Sequence, residues 1–259
     1  LGQRIVQSPR RAGLPQQRTL DYSYDSLYRL TGETVTEGLG VVYTKTFGYD
    51  PVGNRLSQAT TLGPAGSAGP QLQSGTIGYG YDERDRLLTE QLAPNPATAY
   101  AWDANGNLTT KDGEATYTWD HENRLKRVQK ADGTVVEHAY DADGNRVRTK
   151  VTPPTGPPEV TDYLVDTSGP LSHVVAETDG VGTTPGSPAT LKAYYVRGDD
   201  LLAVMRPLVA TPAPATPADW QTRYYHADGL GSIRRLTDEA GNITDGYTYS
   251  AFGELLAHT

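Results

Sequence analysis

Three groups of residues could carry chemistry by type and spacing. His226, Asp228 and Ser232 could be drawn as a nucleophilic set, with the imidazole as base and the hydroxyl as attacking group. They lie within seven residues on what reads as a strand and a turn, whereas catalytic constellations converge from separate segments. A histidine and an aspartate that fix their own turn are the better reading. Asp103, Asn105, Asn107 and Glu114 occupy positions 1, 3, 5 and 12 of a calcium loop, but Leu108 stands where that loop needs Gly. Asp141, Asp143 and Asn145 start the same way and end at Thr152, which offers no bidentate carboxylate. Neither set makes a metal site, and no cofactor is expected. Tyr100, Trp102, Tyr117 and Trp119 could stack on sugar rings; the competing reading is a cross-strand packing ladder.

The elements that would hold these residues are constrained by composition. The chain has 259 residues, of which only 36% are hydrophobic, with 28 Gly, 18 Pro and 17 Tyr against 2 Phe and 1 Met. Mean hydropathy is -0.55. A filled globule of this length buries most of its chain surface in an apolar core, and this chain is poorly supplied for one. Disordered chains are aromatic-poor, so the Tyr content points instead to two-faced β-sheet. The formal charge of -8 argues against a general nucleic-acid binder. Zero Cys excludes disulfides, thiolate metal sites and a cysteine nucleophile, while leaving the redox compartment open. No apolar run approaches the roughly 20 residues of a helical membrane span. The chain starts at Leu1 without a signal-like segment, and the expectation is a piece of something longer.

One unit recurs: aromatic, any residue, aromatic, Asp. It runs Tyr22 and Tyr24 before Asp25, Phe47 and Tyr49 before Asp50, Tyr79 and Tyr81 before Asp82, Tyr100 and Trp102 before Asp103, and Tyr117 and Trp119 before Asp120. A sixth copy has His138 and Tyr140 before Asp141. Asp50, Asp103 and Asp141 are followed by x-x-Gly-Asn, that is Gly53 and Asn54, Gly106 and Asn107, Gly144 and Asn145. Asp25, Asp82 and Asp120 are followed by x-x-x-Arg-Leu, with Arg29, Arg86 and Arg124. The two kinds alternate, with a double period of 38 residues from Asp82 to Asp120 and from Asp103 to Asp141. Aromatics at i and i+2 share one face of a strand. Asp at the first turn position accepts amide hydrogen bonds, and Gly three residues on supplies positive φ. Each unit therefore reads as strand end, turn, next strand, and Asp112-Gly113 and Asp132-Gly133 read as hairpin turns at the opposite ends. The Arg residues could face the Asp turns as a charge ladder worth about 0 to 1 kcal/mol per exposed pair. A helix over 84–92 is possible by pattern, but the repeat calls for a strand there.

Beyond Val151 the runs at 153–158, 185–188 and 208–218 are Pro-rich and read as loops, as does the low-complexity insert at 63–70. Strand-like runs lie at 162–165, 173–177, 191–197 and 201–206. Asp238, Gly241 and Asn242 then repeat the Asp-x-x-Gly-Asn turn, and Tyr247 and Tyr249 repeat the aromatic pair with Ser250 in place of Asp.

The aromatic-Asp units resemble the YD repeats of bacterial RHS proteins, toxin-complex C subunits and teneurins. Tyr195–Leu202, Tyr224–Asp238 and Gly241–Glu254 resemble the RHS-associated core module, with His226, Asp228, Leu230, Gly231, Ser232, Arg234, Thr237, Asp238 and Gly241 at its motif positions. The resemblance implies an all-β meander that spirals into a hollow shell around a polypeptide cargo, in a secreted or surface protein of bacteria. In that family an Asp-Pro-x-x-Gly-Arg-Phe motif supports self-cleavage; it is absent here, so no residue is assigned a catalytic role. The division expected is a lead-in at 1–20, six repeats at 21–151, a Pro-rich connector at 152–219 and a core segment at 220–259. The expected partner is a polypeptide cargo or the remainder of the same shell. Glycan binding at a cell surface and self-association through open sheet edges are the alternatives.

Overall fold

The computed structural model describes residues 2–7 in backbone alone, and 18–38, 40–64, 72–180, 189–208 and 216–259. Most of the 63–70 insert, the 185–188 loop and most of the 208–218 loop lie outside the described residues, as does much of the lead-in. The chain forms two compact units, one of 1–112 with 250–256 and one of 113–249 with 257–259.

The first unit carries β1 (Gly2–Gln7), β2 (Arg18–Tyr24), β3 (Leu30–Glu37), β4 (Gly40–Tyr49), β5 (Arg55–Leu62), β6 (Gly75–Tyr81), β7 (Leu87–Leu92), β8 (Thr98–Trp102) and β9 (Leu108–Lys111). Each pairs antiparallel with the next. The second unit runs as β10 (Ala115–Trp119), β11 (Leu125–Lys130), β12 (Val135–Tyr140), β13 (Arg146–Thr152), β14 (Glu159–Asp166), β15 (His173–Thr178), β16 (Leu191–Arg197), β17 (Leu201–Pro207), β18 (Trp220–Ala227), β19 (Ile233–Thr237) and β20 (Ile243–Tyr249). It is the same consecutive antiparallel meander. A last strand, Leu255–His258, closes the chain, and one short 3-10 turn spans Pro217–Asp219. Residues 87–92 are strand, so the repeat outweighs the helical pattern there.

The alternation is visible in burial: in β8 and β10 the two aromatics of each unit lie half-buried on one face, with exposed Ala101 and Thr118 between them. Beside every turn the outgoing strand carries one extra residue. Ser23 faces Gly32 while Tyr24 faces Leu30, which skips Thr31, and Leu56, Leu88, Thr109, Lys126 and Val147 are skipped in the same way. Such bulges bend the strand and strengthen its twist, so each repeat adds the same local deformation.

The apolar core is thin. In the first unit it centres on Leu20, Val35 and Tyr43, packed by Tyr22, Val42, Leu62, Leu72 and Leu256. In the second, the small residues Ala176, Ala193 and Ala203 are buried with Val204 and Leu236. Small side chains there let consecutive strands pack with little apolar volume.

Candidate functional site

Both kinds of repeat turn have one backbone. In the Gly-Asn kind the Asp50 amide donates to the Asn54 carbonyl and the Gly53 amide to the Asp50 carbonyl; the pattern recurs at Asp103, Asp141 and Asp238. In the Arg kind the same two bonds form at Asp25, Asp82 and Asp120, and Tyr28, Asp85 and Asn123 take the left-handed conformation at φ near 60° where the other kind has Gly. The turn is thus set by the Asp carboxylate. Its Oδ1 accepts amides two and four residues on, as from Asn105 and Asn107 to Asp103 and from Asp143 and Asn145 to Asp141. At Asp238 the donors are the amides of Ala240 and Asn242.

The fourth residue after the Asp distinguishes the kinds. Asn54, Asn107, Asn145 and Asn242 return Nδ2 to Oδ2 of their own Asp. Arg29 and Arg124 give Nε to that oxygen, as Arg86 does, and extend Nη1 to the carbonyl of the next repeat Asp: Arg29 to Asp50 at 2.7 Å, Arg86 to Asp103 at 3.2 Å and Arg124 to Asp141 at 3.5 Å. Asn54 also reaches Asp85 Oδ1 at 2.7 Å, so in the first unit four successive turns are joined in a row. These bonds hold the carboxylates below their ordinary range. Amide and guanidinium donation from Arg124 takes Asp120 down to about 2, and Asn107 lowers Asp103 by its side chain and its amide.

The second aromatic of a unit fastens the strand behind it. Tyr49 donates its hydroxyl to the Leu30 carbonyl, Tyr81 to Arg55, Trp102 its indole N–H to Leu87, and Tyr140 its hydroxyl to Leu125, all at 2.7 to 3.0 Å. The accepting residue is always five beyond the preceding Asp. Arg29 lies over Tyr49 and Arg124 over Tyr140, each 5.1 Å from the ring centre. Tyr22, Tyr24, Tyr79, Tyr100, Tyr117 and Trp119 are half-buried on the same strands, and Phe47 is buried. His138 shares Nδ1 with Thr149 Oγ1, and burial lowers its basicity. Tyr247 stacks on Tyr249 and, on its other side of the sequence, on His258 at 4.7 Å.

The turn at Ser250 repeats the backbone pattern, with Gly253 in the left-handed conformation and Ser250 in the place of Asp. Its fourth residue, Glu254, gives its amide to Ser250 Oγ at 3.2 Å, and its carboxylate pairs with Lys45 Nζ at 2.8 Å. Phe252 meets Phe47 edge-on at 5.0 Å and lies 4.6 Å from the Arg55 guanidinium, while Leu256 joins the Leu20–Val35–Tyr43 core. Segment 250–256 therefore covers the face of β2–β5. Under it lie charged residues with almost no exposure, Glu33 at 0% and Lys45 at 2%, directly opposite one another on β3 and β4. Burial pushes the Glu33 carboxyl above its usual range; the Ala251 amide and the Tyr43 hydroxyl face it without reaching hydrogen-bond geometry. Burial alone would raise Glu254, but the Lys45 ammonium holds it low. A cavity of about 310 Å³ adjoins this cluster, lined by Lys45, Gln58, Thr60, Leu92, Asn95 and Glu254.

The repeat logic did not reveal this cluster. Its local signals are Lys45, which alternates with Tyr43 and Phe47 on the core-facing side of β4, and Glu33, which alternates with Val35 on β3. The trio His226, Asp228 and Ser232 is not assembled for nucleophilic attack. Asp228 Oδ1 accepts the amides of Leu230 and Ser232, its Oδ2 accepts Arg234 Nε at 2.6 Å, and His226 Nε2 faces Thr237 Oγ1 at 2.9 Å. This is a third version of the turn, with Arg six residues after the Asp and its guanidinium 5.3 Å from the Tyr249 ring. Both oxygens of Asp103 and of Asp141 serve their own turns in the same way.

No curated protein matches the chain. Among solved structures it is similar to TcdB2-TccC3, at 16% identity and a TM-score of 0.48, and to a Photorhabdus luminescens Tc holotoxin pore, at 17% and 0.41. In both cases 93% of this chain is covered, and it spans 15% of the other chain's length. The family model described as the teneurin YD-shell matches residues 12–180, which hold the six aromatic-Asp turns and the Arg bridges between them. The chain belongs to the teneurin YD-shell family.

Proposed function

We propose that the chain is a structural part of an RHS-type shell that encloses a polypeptide, a toxic effector delivered from the producing bacterium. The observation that carries this reading is that β2–β5 already holds a polypeptide segment, 250–256, by contacts that mix rings, an ion pair to the buried Lys45 and an aliphatic anchor. A surface of that kind suits unfolded chain, because it offers apolar and charged side chains separate places to dock. The Asp turns and Arg bridges serve as the frame, and the segment from 220 onward serves as the core module that closes it. No step of bond chemistry is assigned to the chain.

Limited proteolysis of the full-length gene product tests the reading. Polypeptide following Thr259 is expected to survive protease several-fold longer than the same polypeptide expressed alone, and to lose that protection when the shell is unfolded in urea. Equal digestion of the attached and free polypeptide would overturn it.

A further inference from the structure

The aromatic ladder lacks a ring at the residue before Asp166. Tyr81 is the residue before Asp82, and its hydroxyl reaches the carbonyl of Arg55, the fifth residue after Asp50. The corresponding place beside Arg146, the fifth residue after Asp141, belongs to Val165, the residue before Asp166. The strand registers make this equivalence firm. Ser57 pairs with Gly78 in the first case and Arg148 with Asp162 in the second, so each pair takes the seventh residue after one Asp and the fourth before the next. Tyr163 then corresponds to Tyr79, and Arg146 lies 5.4 Å from the Tyr163 ring as Arg55 lies 4.6 Å from Tyr79.

Where the ring is missing there is an open pocket of about 340 Å³. Its walls are Tyr140, Asn145, Arg146, Tyr163, Ser172 and Val174, with Val165 at the vacancy. At four repeat turns this place is filled by Tyr or Trp with an O–H or N–H aimed at the carbonyl, namely Tyr49, Tyr81, Trp102 and Tyr140. A second ring beside such an arginine is also seen within the chain, for Phe252 lies as close to Arg55 as Tyr79 does.

We propose that the pocket at Val165 binds a tyrosine side chain of an extended polypeptide. The phenol ring packs between the Tyr140 and Tyr163 walls beside the Arg146 guanidinium, and its hydroxyl donates to the Arg146 carbonyl. Tyrosine is selected over leucine by the cationic and aromatic walls, and over phenylalanine by the hydroxyl. The idea deepens the enclosure reading by naming a side chain that the enclosed polypeptide would dock.

The test is a titration of the protein with N-acetyltyrosinamide, read by methyl NMR of Val165 and Val174. Shifts of both methyl pairs at millimolar probe are expected, with several-fold weaker response to N-acetylphenylalaninamide and none to N-acetylleucinamide. No response of Val165 and Val174 to the tyrosine probe, or an equal response to all three, would overturn the proposal. Val165→Tyr is expected to fill the vacancy, raise Tm and abolish probe binding. A lower Tm, a variant that does not fold, or retained binding would each count against a ring-shaped gap. Probe binding does not depend on enclosure, so it can succeed where the protease experiment fails, and the reverse.

Discussion

Arg29 ties its own turn to that of Asp50, giving Nε to Asp25 Oδ2 and Nη1 to the Asp50 carbonyl, each at 2.7 Å. The sequence suggested a ladder of charges, for which any cation would serve. The geometry instead needs a planar fork that donates in two directions, which lysine lacks. Arg29→Lys is expected to cost about 1 kcal/mol through the lost carbonyl bond. Urea unfolding measures it, and a lysine variant as stable as the parent would reduce the bridge to simple charge.

The left-handed residue of each turn predicts a sharp discrimination at Gly144, where φ is +87° and a Cβ would meet nothing within 4 Å. Asn123 occupies the matching place in the preceding turn. Gly144→Asn is therefore expected to be nearly neutral, whereas Gly144→Val should cost about 1 to 2 kcal/mol or more from backbone strain alone. Thermal melts of the two variants give the comparison, and similar values for Asn and Val would show that the turn does not hold that conformation in solution.

Glu254 pairs with the Lys45 ammonium from the docked segment, and Glu33 stands opposite Lys45 on the neighbouring strand. Glu254→Ala leaves Lys45 beside Glu33, and Glu33→Gln leaves it beside Glu254. Only the double variant strands a buried cation, so it should be less stable than the two single effects added together predict, by about 1 kcal/mol or more. Additive singles in a double-mutant cycle would separate the two carboxylates.

Titration should act in opposite senses on the turns and on Glu33. The turn carboxylates have folded pKa values below 3.8, so their contribution is present above that value and is lost as pH falls, for Asp120 down to about 2. Glu33 has a folded pKa above 4.5, so its protonated form favours folding below that value and the advantage is lost as pH rises through the folded pKa. Glu33→Gln should therefore melt higher than the parent at pH 7, and the difference should shrink below about pH 4.5. A constant difference across that range would mean that Glu33 does not titrate in the folded protein.

Phe252 is the remaining anchor of the docked segment and is half exposed. Phe252→Ala is expected to cost about 1 kcal/mol from the ring pair with Phe47 and the contact with Arg55. It should also speed proteolytic cleavage near Gly253 more than elsewhere. Uniform proteolysis across the chain would place the segment off the β2–β5 face in solution.

The strand order and the faces of the aromatic pairs were legible because each depends on a few neighbouring residues. An Asp carboxylate closes its turn with amides two and four places on, and a meander pairs each strand with the next in sequence, so no distant contact is needed. That Tyr28 would adopt the conformation of Gly53 was not legible from its type, which seldom takes it, and Asp85 and Asn123, whose types tolerate it, did not mark the position by themselves. The shared Asp carboxylate and the following bond partners outweigh that local preference.

The tertiary structure alone decided what lies over those strands. Lys45 and Glu254 are 209 residues apart, and nothing local couples them. Ser250 starts a turn like the others, and only the buried ammonium across the fold draws the carboxylate of its fourth residue to a distant strand. The vacancy at Val165 has the same character: the valine is plain in the sequence, but its meaning depends on a register that puts it beside Arg146. Local hydrogen bonds can be read from spacing because they compete with few alternatives. Docking is chosen by the summed burial of charge, rings and aliphatic surface over distant segments, which exists only once the sheet has brought them together.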